Sequence, residues 1–298
     1  MNRKTYKFLC WLFGLLLILS LFRYLLINFL DADSKVLLLG QQIIHAFYIF
    51  IPLLSVLIVE KWKVKNIILE YSISFKGTNV KKLIQYVLAT AILFPAIVLF
   101  LTYIFGNVFH MSSFGEIVLE DVPSSFYGMG LPGNAYLKFG ILFLISLGMN
   151  FVGLIFKFIS SFSGEIAWRG FLEKYIHYSR IKKTMLIGLI WGLWDIPLLI
   201  LNPCRDNIMD YFYVFILKAL LCVVCSFYFV NALKQTRSIF TSSIMQGLIS
   251  SSTLIFLIHG DINFFIGDTQ GLLGIASIMM INGIFSKISN RNFMRDKV

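Results

Sequence analysis

The run KFGILFLISLGMNFVGLIFKFIS (138–160), continuing into SFSGEIAWRGFLEKYI (161–176), decides how this chain is read. Its first part is apolar for about the 20 residues that a helix needs to cross a bilayer. Its second part sets Glu165 and Arg169 four residues apart, on one helix face, between Gly164 and Gly170. Ionisable groups at the edge of such a segment are costly and often mark a site. One reading is a helix-surface ion pair at the membrane edge, worth about 0.3–0.5 kcal/mol. The other is an inward pair that closes a pocket. Both stay open at the level of sequence.

The rest of the chain repeats the apolar theme. Of its 298 residues, 58% are apolar and 14% charged, and its mean hydropathy is +0.81. Soluble domains carry about 25% charged residues. Composition therefore predicts an all-α integral membrane protein, a polytopic transmembrane helix bundle forming one membrane domain over 1–298. Eight apolar runs are the expected spans: 8–30, 36–59, 83–106, 138–160, 184–202, 211–233, 239–258 and 270–286. The run 184–202 is short and holds Asp195 and Pro197, and Pro197 is expected to bend or break its helix. The region 259–286 contains several glycines and is open to a partly re-entrant reading.

Loop charge alternates along the chain. Basic clusters lie at Arg3, Lys4 and Lys7, at Lys61, Lys63 and Lys65, at Lys81 and Lys82, at Arg180, Lys182 and Lys183, and at Lys234 and Arg237. The tail adds Lys287, Arg291, Arg295 and Lys297. The connections between these are acidic, with Asp31 and Asp33, Glu116, Glu120 and Asp121, Asp206 and Asp210, and Asp261 and Asp268. The positive-inside rule then puts both termini in the cytoplasm of a cell-membrane protein. The same asymmetry accounts for the net charge of +11. Its natural partner is anionic membrane lipid. A nucleic-acid partner is not expected, because the basic residues are spread over several loops instead of forming one face.

Other features carry less. Cys222 and Cys225 sit in an apolar run without a second pair or a nearby histidine, so packed thiols are expected. The first apolar run is long and lacks a small-residue cleavage site, and reads as a retained span. The connection 107–136, with GMGLPG at 128–133, is expected outside, as a short interfacial helix or a lid. YSISF (71–75) alternates like a strand.

Three positions at membrane depth could carry chemistry: GEIAWRGFL (164–172), IWGLWDIPLLI (190–200) and SIMQGLISSS (243–252). Trp191 and Asp195 are four apart, and so are Gln246 and Ser250. A carboxylate near the centre of a span costs roughly 2.5–3.5 kcal/mol on insertion scales. Asp195 therefore needs a partner, and Arg169 is the first expectation. Gln246 and Ser250 suit interhelical hydrogen bonds better than catalysis.

In the order of these motifs and in span count, the chain resembles the CPBP membrane proteins. That family includes the type II CAAX prenyl proteases and bacteriocin-processing or self-immunity proteins. The resemblance covers about 138–260. The family's Glu-Glu-x-x-x-Arg matches Gly164, Glu165 and Arg169. Its aromatic residue followed four later by His corresponds to Trp191 and Asp195, and its His-x-x-x-Asn or Asp corresponds in place to Gln246 and Ser250. The resemblance implies that active members bind or activate water with the first Glu and the two His, while the Asn stabilises an oxyanion. Here all four places differ: Gly164, Asp195, Gln246 and Ser250.

Two functions follow as expectations. One is a proteolytically silent relative acting by binding to a peptide, a bacteriocin or another membrane protein, in self-immunity or as an envelope scaffold or regulator. The alternative is an intramembrane endopeptidase, of CAAX or leader-processing type, with Glu165 and Asp195 as candidate catalytic carboxylates. A metal or other cofactor is not expected, since the histidines at the family positions are absent. A transporter is a third class, suited by Asp195 and Pro197, but no internal repeat supports it.

Overall fold

The computed structural model describes residues 2–29, 35–71, 73, 77–115, 117, 135–200, 208–252, 257, 258, 263, 266, 267 and 269–295. Among them every regular element is helical. In chain order these are α1 (Arg3–Phe29), α2 (Lys35–Val59), α3 (Val64–Glu70), α4 (Val80–Leu88), α5 (Phe94–Thr102) and α6 (Ala135–Glu165). Then come α7 (Glu173–Tyr175), α8 (Arg180–Ile200), α9 (Ile208–Thr236), α10 (Ile239–Ser251) and α11 (Leu272–Arg295). π-Helical turns at Ala89–Leu93, Tyr103–Val108 and Ile166–Leu172 splice some of these into longer rods.

Five stretches are long and apolar enough to cross a membrane: Arg3–Phe29, Lys35–Val59, Val80–Val108, Tyr136–Tyr175 and Phe212–Thr236. The remaining apolar runs contain α8, α10 and α11, which among the described residues do not join these five. Large apolar side chains point outward along the rods, with Leu17 72%, Phe29 81% and Phe156 77% exposed. Such a surface suits lipid and would aggregate in water.

The inside is polar in a particular way. Ser55, Thr90, Thr236, Ser243 and Ser277 are buried, and each donates its hydroxyl to the carbonyl four residues earlier. That back-bond satisfies the hydroxyl where no water is at hand. Small hydroxyl residues also let helices approach closely.

The chain divides into two compact units, 1–78 with 159–243 and 79–158 with 244–298. In the first, α8 packs along α9 and α1 along α2. The α8–α9 seam is built on Gly188 and Gly192. A β-carbon at Gly188 would stand 2.5 Å from the Val223 Cα, and one at Gly192 would stand 2.7 Å from the Ala219 Cα. This is the small-xxx-small solution to close helix packing in lipid. α8 runs through Pro197 to Ile200 without a break. The hydrogen bond that proline removes lies in the last turns, where its loss does not end the helix.

In the second unit, the α4–α5 rod packs on α11, and the Tyr86 and Phe285 rings lie 4.4 Å apart. Ser251 donates to the carbonyl of Asn150 on α6. Most of the 107–136 connection lies outside the described residues. So do three residues of YSISF, whose Tyr71 and Ile73 are in no strand.

Candidate functional site

The GEIAWRGFL motif (164–172) folds into a wide turn. Glu165 ends α6, and Ile166–Leu172 form a π-helical turn in which all seven residues are buried. Short π segments inside α-helices occur often at functional sites. Phe8 of α1 packs under this turn, against Phe171 at 5.0 Å and Trp168 at 6.4 Å.

Glu165 and Arg169 form an inward pair. Arg169 Nη1 donates to Glu165 Oε1 at 2.5 Å, and both side chains are 0% exposed. Arg169 Nη2 donates to Ser226 Oγ at 3.0 Å. The guanidinium also lies 4.8 Å from the Trp191 ring and 4.9 Å from the Phe229 ring. Such cation–π contacts contribute about 2 kcal/mol when desolvated. The edge-exposed ion pair is thus excluded. Glu165, Arg169 and Trp191 meet, joined by Ser226 and Phe229 of α9, which sequence reading had not singled out.

Asp195 corrects the expectation that it pairs with Arg169. Its Oδ2 lies 3.2 Å from Lys218 Nζ on α9, with the side chains 16% and 27% exposed. Arg169 is already committed to Glu165, Ser226 and two rings, so α9 supplies the cation. A lone lysine inside the apolar run 211–233 was the signal for this partner, since such a charge needs an opposite one. Beside the pair, Tyr48 stacks on Trp194 at 4.5 Å and donates its hydroxyl to the Trp194 carbonyl. Cys222 and Cys225 are buried free thiols, as packing predicted.

Gly164 is crowded. A β-carbon there would meet Trp168 Nε1 at 3.0 Å, so the indole stands where a side chain would begin. Among the described residues, Trp168 Nε1, Arg169 Nε and Glu165 Oε2 are buried without a hydrogen-bond partner. Gln246 and Ser250 belong to the second unit. Gln246 Oε1 is buried and unpartnered among the described residues, and Ser250 is exposed. On α10 the hydroxyls that reach another helix include Ser251, to Asn150 of α6, and Thr241, to Thr236 of α9.

A further polar cluster caps the first unit. Lys4 Nζ donates to Glu60 at 2.9 Å and to Tyr175 Oη at 2.8 Å, and Tyr71 Oη donates to Glu60 at 3.1 Å. Burial pushes the Glu60 carboxyl up, but hydrogen bonds from Lys4 and Tyr175 outweigh it and hold the group below its ordinary value. Burial first, and the Glu60 charge beside it, raise the Tyr71 phenol. Lys183 pairs with Glu173 at 2.7 Å, and Lys174 pairs with Glu70.

No protein-family model matches the chain, and no curated protein matches it.

Proposed function

We propose that this is a CPBP-like membrane protein that no longer cuts peptide bonds and acts by binding. In this reading it confers self-immunity to a bacteriocin, or scaffolds or regulates another envelope protein. It has about eight spans in the cell membrane with both termini cytoplasmic, works without a cofactor, and meets lipid and a peptide or protein partner. The observation that carries the reading is the state of Glu165. A hydrolytic carboxylate must face a water and a carbonyl. Glu165 instead lies wholly buried against Arg169, and Asp195 is tied to Lys218.

The test is a cleavage assay on purified protein in nanodiscs, with leader peptides and prenylated peptides as substrates and mass spectrometry as readout. No product is expected. The control variant combines Glu165→Gln with Arg169→Met, because Glu165→Ala alone would strand a buried guanidinium. Turnover by the wild type that vanishes in this double variant would overturn the reading in favour of an altered endopeptidase.

A further inference from the structure

A groove of about 730 Å³ opens in the second unit, along the α4–α5 rod and against α11. Its composition changes with depth. Lys81 and Lys82 stand at its mouth, in the first turn of α4. Neither ammonium has a carboxylate partner among the described residues. Further along, Leu88, Ile92 and Leu93 present exposed apolar side chains. Phe285 forms the opposite wall and is steadied by the Tyr86 ring.

The dimensions match one leaflet. From Lys82 to Leu93 the rod climbs about 16 Å at the usual helical rise. Half of a hydrocarbon core is about 15 Å. The π-helical turn Ala89–Leu93 lies at the apolar end. Two cations without a carboxylate partner thus lead, past Gln85, into an apolar trough that rises about 7.5 Å from Leu88 to Leu93 and takes part of an acyl chain.

We propose that this groove binds an anionic phospholipid, with the phosphate at Lys81 and Lys82 and an acyl chain along Leu88, Ile92 and Phe285. A free phosphate would engage only the lysines. A neutral lipid would engage only the trough. The occupant that uses both is a lipid carrying net negative charge, and basic residues at a membrane surface attract such lipids. In the orientation set by the basic loops, it comes from the inner leaflet.

Native mass spectrometry of protein in micelles doped equally with phosphatidylglycerol and phosphatidylcholine tests this. Phosphatidylglycerol should be retained preferentially. Lys81→Gln with Lys82→Gln should lower its retention on the order of tenfold while leaving phosphatidylcholine unchanged. Lys81→Arg with Lys82→Arg should restore it. Ile92→Trp, which fills the trough and keeps both lysines, should also lower retention. Excess glycerol phosphate should displace nothing. Equal retention of the two lipids, a glutamine pair that binds like wild type, or displacement by glycerol phosphate would each overturn the proposal. Should the glutamine pair fail to fold, Ile92→Trp decides alone, and unchanged retention in it overturns the site.

Discussion

The carboxylate of Asp195 on α8 lies 3.2 Å from the ammonium of Lys218 on α9, across a seam of small residues. The two charges answer each other across the seam, and Arg169 keeps to Glu165, Ser226 and the Trp191 and Phe229 rings.

Changing one partner of this pair should destabilise the protein and changing both should hurt less than the sum. We expect a coupling of about 0.5–3 kcal/mol between Asp195→Asn and Lys218→Gln. Thermal unfolding in detergent measures it. Additive losses would show that the contact carries no energy of its own.

The sealed pair should behave more severely. Removing one member of a buried ion pair costs about 3–5 kcal/mol, because the other charge is stranded. Arg169→Gln or Glu165→Ala should therefore lower the yield of folded protein sharply. The joint change Glu165→Gln with Arg169→Met should recover much of it. Equal loss in single and joint variants, read by size-exclusion chromatography and Tm, would contradict the pairing.

The seam gives a contrast between glycines. Gly188→Ala should destabilise, on the order of 1–3 kcal/mol, because its β-carbon meets backbone at 2.5 Å. Gly148→Ala on α6 meets nothing within 4 Å and should be neutral or gain up to about 1 kcal/mol from helix propensity. If the two changes shift Tm alike, α8 and α9 do not approach as described.

Acid should loosen the first unit through Glu60. Its folded value is depressed, so its contribution is present above the ordinary glutamate value of about 4.3 and is lost as pH falls through the lower folded value. Tm in detergent should drop more steeply below about pH 4.3 in wild type than in Glu60→Gln. Parallel slopes would remove Glu60 from the account.

Much of the fold was legible because a bilayer's demand for apolar length leaves a plain mark in sequence. Each apolar run contains helix, although α10 covers only Ile239–Ser251 of the run 239–258. The pairings were harder to see. Glu165 and Arg169 at i, i+4 pointed to their own contact, yet spacing says nothing about whether that face turns in or out. Lys218 stands out as a lone charge in an apolar run, but nothing in its neighbours along the chain says that Asp195 is its partner. Gly188 and Gly192 were in plain view as a four-residue repeat, but only the facing Ala219 and Val223 give them meaning. The π-helical turn was invisible, since one extra residue per turn leaves no signature in residue type.

The two ion pairs differ in when they become possible during synthesis. Glu165 and Arg169 lie one turn apart on a single rod, so each has its counter-charge as soon as that turn forms. Asp195 has no such companion one turn away on α8. Its answering charge arrives only with α9. The α8–α9 contact thus has to form before the Asp195 carboxylate meets its cation.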